Sequence, residues 1–371
     1  MNAFRFLHSS DLHLGRAFGG YPEGIRHRLR AARHDVIARL AKAARAQGAR
    51  TVLLAGDTFD AETPAPETLR HALQAMREES DLTWFILPGN HDSLAASELW
   101  RRIAQDAPTN LHSITNNTPL ELSPGNWLLP APCTHRRSGL DLTEAMSTPT
   151  PEGMRRIGLG HGAITDFSGE EVATGIIPPD RAARSGLDYL ALGDWHGKMQ
   201  VAPATWYSGT PEPDGFKHDI PGTALSVTLD GPAKVTPVET GQFRWTRPTL
   251  DVLPGEDVAS RLAAALPAVR ARDYLVRLVV TGRLPLAERT ALEADLEARK
   301  PEFGWFEADV TGLQVQALPE DLDQIDRAGA LRQAAEALMA ESIDAGLSQS
   351  DRDLATSALA RLYALAQEVR A

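Results

Sequence analysis

Cysteine is almost missing from this chain. Cys133 stands alone among 371 residues, so no internal disulfide can form and the fold must close on its hydrophobic core, as suits a reducing compartment. No apolar run approaches the roughly 18 residues that cross a bilayer, which argues against a membrane span. The stretch Met1 to Gly15 lacks the basic-then-apolar layout of a secretory leader, because His8, Ser9, Ser10, Asp11 and His13 interrupt it. The cytoplasm is therefore the expected location. Repeats and low-complexity tracts are absent too. Bulk positive charge is also missing: the net charge of −11 argues against a protein that coats nucleic acid by charge alone. What remains, 43% hydrophobic and 23% charged residues, is the balance of a globular protein and excludes disorder or a collagen-like rod. The length suffices for two domains.

The charge is unevenly spread. Nine Lys/Arg against two acids fill Arg16 to Arg50, whereas 21 acids face 13 Lys/Arg from Asp251 onward. The arginines of the first segment either contact phosphates or form a solvated helix face.

The first 210 residues repeat one grammar, a short apolar run followed by a polar cluster. Phe4–Leu7 leads into His8-Ser9-Ser10-Asp11-Leu12-His13, Thr51–Ala55 into Gly56-Asp57-Thr58-Phe59-Asp60, and Trp84–Pro88 into Gly89-Asn90-His91-Asp92. Arg156–Leu159 leads into Gly160-His161-Gly162, and Tyr189–Leu192 into Gly193-Asp194-Trp195-His196. Such runs, bounded by Gly or Pro, read as buried strands. Between the first two, Ile25, Leu29, Ala32, Val36, Leu40 and Ala43 form one helical stripe ending at Gly48. Further helices are expected from Thr63 and after Ser93. Strands alternating with helices predict an α/β layered architecture, whose ligands gather at the carboxyl ends of the strands. All five polar clusters lie there.

Residues 116–153 read as an irregular insertion with one strand at Trp127–Leu129. After Gly209, Ala224–Leu229 alternates as a half-exposed strand would. Tyr274–Val280, Leu286–Arg299 and Phe306–Val315 read as strand, helix, strand, a small α/β unit over 250–320. Leu331, Ala335 and Leu338, then Leu354, Ala358, Leu362, Leu365 and Val369, mark two C-terminal helices over 321–371, with Ser350 and Asp353 as a capping box for the second.

The strand ends together offer Asp11, Asp57 and Asp194, the imidazoles of His13, His91, His161 and His196, and the amide of Asn90. This oxygen and nitrogen set without thiolate suits Mn²⁺ or Fe²⁺, with Zn²⁺ as an alternative. In Asp11-x-His13 two ligand types point the same way from an extended segment, and a carboxylate such as Asp57 can give one oxygen to each of two cations. His27, His34, His71, His112 and His135 lie outside the clusters and read as surface or packing residues.

These motifs together resemble the calcineurin-like metallophosphoesterase superfamily. Leu7–Gly15, Gly56–Asp60 and Tyr207-Ser208-Gly209-Thr210-Pro211 look most like its SbcD-type DNA repair exonucleases. The resemblance implies a metallophosphoesterase-type layered β-sheet core flanked by helices over 1–245, then a small α/β capping domain and C-terminal helices. It implies two divalent metal ions, Mn²⁺ first: Asp11, His13 and His196 on one, Asp57 bridging, Asn90 and His161 on the other. It further implies DNA ends hydrolysed by metal-activated hydroxide attack, with His91 as the leaving-group acid and Asp60 orienting His91. Double-stranded DNA ends and an SMC-like ATPase of the SbcC type are the partners implied, and a homodimer is left open. Asp194 departs from the pattern, standing where a histidine of the second metal is expected. It either ligates that metal or only bonds a neighbouring imidazole. A phosphatase or phosphodiesterase for small substrates and a catalytically degenerate partner-binding subunit are the competing readings.

Overall fold

The computed structural model describes residues 2–136, 139–164, 177–316, 322–323 and 325–369. The chain divides into two compact units, Met1–Trp245 and Thr246–Ala371.

In the first unit the chain opens with β1 (Phe4–Ser9), α1 (Glu23–His34), α2 (Val36–Ala46), β2 (Thr51–Leu54), α3 (Pro66–Glu78), β3 (Thr83–Ile86), α4 (Ser97–Asp106) and β4 (Leu111–Ser113). It continues through β5 (Leu120–Ser123), β6 (Asn126–Ala131), β7 (Arg155–His161), the short α5 (Arg181–Arg184), β8 (Tyr189–Gly193), β9 (Met199–Ala202), β10 (Thr205–Tyr207), β11 (Thr223–Leu229) and β12 (Ala233–Glu239). The strands build two six-stranded sheets, β12-β11-β1-β2-β3-β4 and β5-β6-β7-β8-β10-β9. Strands β1 to β4 run parallel to one another, as do β6, β7 and β8.

The layering follows from strand parity. Successive side chains face opposite ways, so Leu7, Val52 and Trp84 pack against Leu40, Leu73 and Ile103 of α2, α3 and α4. Their neighbours Phe6, Leu53 and Phe85 pack against Leu128, Ile157 and Tyr189 of the other sheet. The far face of that sheet is closed by Met146, Ala182 and Leu187 against Leu190 and Leu192. Because both faces of β2 are covered, Thr51 to Leu54 are all buried, the mark of a parallel strand inside an α/β core.

Several expectations need correction. The helical stripe expected over 25–43 is two helices meeting at Asp35, while Gly48 takes the left-handed φ of +68° foreseen for a cap. The strand expected at Trp127–Leu129 is present as β6, but residues 116–153 are no insertion, since β6 pairs in parallel with β7 and carries Leu128 and Leu129 into the core. Strand β11 is buried rather than half-exposed: β1 and β12 pair with its edges, and Leu225 and Ala224 enter the cores on its two faces. Helix α3 starts at Pro66, three residues after the start expected at Thr63.

In the second unit β13 (Arg244–Thr246) spans the boundary. There follow β14 (Thr249–Val252), α6 (Val258–Ala265), β15 (Tyr274–Pro285), α7 (Leu286–Arg299) and β16 (Trp305–Gln316). Both β14 and β16 pair with β15 in parallel, and Leu262, Leu292 and Leu296 close this sheet from the helices. Two last helices, α8 (Ala330–Ile343) and α9 (Gln349–Glu368), bury Ala335, Leu359 and Tyr363 against Leu286 of α7. The capping residue of α9 is Ser348, whose hydroxyl accepts from the Asp351 N–H at 3.2 Å, not Ser350. The 320/321 division expected from sequence lies outside the described residues.

Candidate metal centre

Each of the five polar clusters leaves the carboxyl end of a parallel strand: three from β1, β2 and β3 of one sheet, two from β7 and β8 of the other. The loops after β1 and β2 are zipped together. The Ala55 N–H donates to Ser9 O at 2.8 Å, Asp11 N–H to Gly56 O at 3.1 Å and His13 N–H to Asp57 O at 3.0 Å. This pairing leaves no room for ordinary extended backbone. Among the described non-glycine residues only six take a positive φ, and four of them are Asp11 (55°), His13 (44°), Asp57 (52°) and Asp194 (103°). Left-handed backbone costs a side-chain-bearing residue on the order of 1–3 kcal/mol and persists where surrounding structure enforces it. Two glycines make the convergence possible. A Cβ on Gly56 would lie 2.3 Å from His161 Nδ1, and one on Gly193 would lie 2.0 Å from Ala55 O.

Of the carboxylates and imidazoles that result, Asp11 is fully buried and His13 and Asp57 are buried to within 2%, while His91, Asp194 and His196 are half-buried. Their arrangement is directional. His161 Nδ1 lies 2.8 Å from Ala55 O, and His91 Nδ1 lies 3.0 Å from Asp60 O. A carbonyl can only accept, so both Nδ1 atoms carry the proton. His196 Nδ1 faces Asp214 Oδ1 at 3.3 Å and His13 Nδ1 faces Asp60 Oδ1 at 3.2 Å. The oxygen partners of His161, His91 and His196 fix the tautomer that leaves Nε2 free to ligate, while the approach of His13 Nδ1 to Asp60 is not a hydrogen bond. The free nitrogens converge: His13 Nε2 is 3.2 Å from His196 Nε2 and 3.8 Å from Asp57 Oδ2, and His161 Nε2 is 3.6 Å from Asp57 Oδ1. The two oxygens of Asp57 are thus divided between two imidazoles.

Three groupings bring donor atoms within 4.8 Å of one another: Asp11, His13 and His196; Asp11, Asp57 and His161; and His13, Asp60 and His91. Asp194 is in none of them. Its carboxylate Oδ1 accepts from Asn90 Nδ2 at 3.0 Å and lies 3.8 Å from His161 Nε2, while its N–H donates to both oxygens of Asp11 at 3.1 and 3.2 Å. Asn90 and Asp194 therefore sit together beside His161. Asp60 reaches His91 through its main-chain carbonyl. Its carboxylate instead faces His13 and Arg16, the latter at 3.4 Å. His27, His34, His71 and His112 contribute to none of these groupings, and His135 lines a cavity beside His161.

Divalent cations fit this donor set. His161 Nε2 and Asn90 Oδ1 are buried without a hydrogen-bond partner, a costly state unless a cation satisfies them. Burial opposes a charge on His161, yet Asp57, Asp11 and Asp194 together outweigh it and raise its pKa to about 9. Burial likewise works against charge on His196, but the Asp214 hydrogen bond and Asp11 raise its pKa. Asp194 is shifted upward by burial. The pit attracts positive charge.

Residues missed in the sequence hold this pit from behind. Asp214 binds His196 and, at 3.1 Å, Arg16. Burial works against its charge, but the His196 hydrogen bond and Arg33 hold its pKa low. Its only signal was its place three residues after the Tyr207–Pro211 motif. Arg33 is buried and donates to Leu12 O at 2.6 Å and Glu212 O at 2.7 Å, which pins the peptide between Asp11 and His13. Glu212 is itself bound by Arg39 and by the N–H groups of Gln242 and Phe243. Arg33 lies four residues beyond Leu29, on the edge of the apolar stripe, and that spacing was its signal. Arg33 is thus spent inside the protein, whereas Arg45 and Arg50 pair with Asp81 on its exposed surface.

Two cavities flank the pit and share Asp194. One, of about 340 Å³, is lined by Arg16, His196, Asp214 and the residues that follow. The other, of about 230 Å³, is lined by Asn90, His161 and Thr143.

Comparison with known proteins gives a family and a set of distant folds. A family model described as "Calcineurin-like phosphoesterase" matches residues 4–198. No curated protein matches the sequence. Among solved structures, TT1561 of Thermus thermophilus is similar at 13% identity and a TM-score of 0.43, over 64% of this chain and 100% of that one. Purple acid phosphatase PPD1 from yellow lupin (Lupinus luteus) seeds is similar at 10% identity and a TM-score of 0.41, over 64% of this chain and 52% of that one. GAP50, the anchor in the inner membrane complex of Plasmodium, is similar at 11% identity and a TM-score of 0.38, over 72% of this chain and 96% of that one.

Proposed function

The chain belongs to the calcineurin-like phosphoesterase family, and from that premise we propose that it is a two-metal phosphodiesterase acting on DNA ends. Membership makes it a metal-dependent phosphoester hydrolase. The observation that carries the two-metal reading is the division of Asp57, whose Oδ2 faces His13 and whose Oδ1 faces His161. Asp11, His13 and His196 would hold one cation. Asn90, His161 and Asp194 would hold the other, with Asp57 between them and Mn²⁺ as the expected metal. Bound there, a pair of divalent cations supplies Lewis acidity at the phosphoryl oxygens and a nucleophile at neutral pH.

The chain's own residues do the rest. His91, beside His13 with ring centroids 4.9 Å apart, is the group placed to give a proton to the leaving oxygen. With its Nδ1–H hydrogen-bonded to Asp60 O, the ring would act as an acid in its imidazolium form, giving up the Nε2 proton and returning to the neutral Nδ1–H tautomer. The Asp57 carboxylate accepts the His91 N–H at 2.8 Å, so acid and metal ligand are set by one hydrogen bond. The two cavities that meet at Asp194 support a diester over a monoester, because a diester has a group on either side of its phosphorus. The SbcD-like motifs support DNA as that diester and an SMC-like ATPase as the partner in the cytoplasm. Among the described residues no helix is long and apolar enough to cross a membrane.

The test offers the purified protein linear duplex DNA, bis-p-nitrophenyl phosphate and p-nitrophenyl phosphate, each with Mn²⁺ and with EDTA. Metal-dependent shortening of the DNA and turnover of the diester are expected. Turnover of the monoester alone would replace this reading with a small-substrate phosphatase, and no turnover at all would leave a partner-binding subunit.

A further inference from the structure

The larger cavity beside the metal pit is not a generic cleft. Its floor is shared with the centre through Asp194, His196 and Asp214, and its walls are Trp195, Phe216, Lys217 and His218, with Arg16 at one side. The smaller cavity has no Phe, Trp or Tyr among its lining residues. The larger one's volume of about 340 Å³ lies within the roughly 300–1,000 Å³ of sites that bury small ligands.

The aromatic wall is closely packed. The Trp195 and His218 rings meet edge-on at 4.8 Å between centroids. Both press on Gly197, where a Cβ would come within 2.9 Å of Trp195 Nε1 and 3.1 Å of His218 Nδ1. The Lys217 ammonium stands 5.0 Å from the Trp195 ring centroid, and Lys217 itself is exposed. His218 Nε2 is buried and has no hydrogen-bond partner. An aromatic surface, an unused polar nitrogen and two cations, arranged around a phosphate-binding pit, are what a base with its sugar and phosphate requires. Stacking of a base on such a ring is worth about 1–3 kcal/mol and tolerates any base, because every base has a π-face.

We propose that this cavity is a nucleoside subsite in which Trp195 and His218 receive the base next to the phosphodiester held at the metals, while Lys217 and Arg16 attract the backbone. The inference rests on the phosphodiesterase reading and adds to it the side on which the nucleoside sits. It also supplies what the net charge withholds, a means of holding nucleic acid that depends on stacking more than on bulk charge.

The experiment compares two diesters with the same leaving group on the manganese-loaded full chain: thymidine 5′-(p-nitrophenyl phosphate) and methyl p-nitrophenyl phosphate. The thymidine ester is expected to have the higher kcat/KM by about tenfold, carried mainly by KM. That ratio falls about tenfold in Trp195→Leu and is kept in Trp195→Phe, while Lys217→Gln lowers kcat/KM about threefold for both esters and leaves the ratio. Binding of thymidine monophosphate, measured by calorimetry, weakens in the same order. Equal kcat/KM for the two esters in the natural protein, or a ratio unmoved by Trp195→Leu, overturns the subsite. Failure to hydrolyse either ester overturns the diesterase reading instead. Thymidine monophosphate binding then decides the subsite alone: dependence on Trp195 supports it and its absence refutes it.

Discussion

The two units of this protein pair strands in parallel and cover them with helices, yet they treat charge in opposite ways. The first buries Asp11, Asp57, Asp92, His161 and Arg33 and holds four polar residues in left-handed backbone around one point. The second encloses Leu250, Val276, Leu278 and Leu292 in an apolar core. Among its described residues the buried charge is Arg289, paired with Glu293 at 2.9 Å. Its left-handed non-glycine residue is Arg270, in an exposed turn. Desolvation and backbone strain both cost stability, so a fold concentrates them where chemistry requires it. The contrast places the chemistry in the first unit and gives the second the energetics of ordinary packing.

That contrast can be broken at its strongest point. Asp57→Asn keeps the acceptor for the His91 N–H and removes the charge shared by two imidazoles. Turnover of bis-p-nitrophenyl phosphate is expected to fall by about 10³-fold or more, with metal content dropping below two ions per chain. Unchanged stoichiometry would show that Asp57 is not the shared ligand.

The next effect is one of pH on the metal-free protein. The folded pKa of His161, about 9, exceeds its ordinary 6.5, so the bound proton favours the fold. Its contribution is full below pH 6.5 and is lost as pH rises through 9. Burial, with Asp57 nearby, raises the pKa of Asp92 as well, and that acts in the same direction. Thermal denaturation in EDTA should therefore show stability falling by on the order of 3 kcal/mol from pH 6.5 to 9.5. Added Mn²⁺ should stabilise increasingly over the same range, because cations replace protons. A flat profile in EDTA would mean that His161 is not held charged by the three aspartates.

A smaller change is expected for Asp214→Asn, which leaves a neutral acceptor for His196 Nδ1. Metal affinity should weaken by about tenfold, the low end of what loss of a ligand-orienting carboxylate costs, while the second unit's unfolding is unaffected. An affinity equal to that of the natural protein would remove Asp214 from the support of the centre. The smallest effect belongs to the second unit. Leu354 is 69% exposed on α9, so Leu354→Lys should shift stability by less than about 0.5 kcal/mol and leave diester turnover alone. A large loss there would give α9 more than a packing role.

Much of the centre was legible before any fold was known, because strand-end loops concentrate ligand chemistry at fixed offsets from short apolar runs. Asp11, His13, Asp57, Asn90, His91, His161, Asp194 and His196 all stand within a few residues of such an end. The C-terminal stripe was less legible. Leu354 and Leu365 are exposed while Ala355, Leu359 and Tyr363 are buried, since a helix docked on one neighbour buries the face that neighbour offers. Likewise β11 alternates in sequence yet is buried on both faces, because Leu225, Val227 and Leu229 meet the partner sheet while Ala224, on the other face, lies in the core shared with the helices.

By itself the amino-acid sequence determined which side chains could bind metal, and that alternating strands and helices would bring them to carboxyl ends, since periodicity and ligand type are local properties. Only the tertiary structure decided that these ends come from two sheets, that Asp57 turns one oxygen to each side, and that Arg33 and Asp214 hold the pit. Those depend on contacts between residues as far apart as Asp11 and Asp194, whose proximity is set by the packing of whole sheets and by no pattern within either segment.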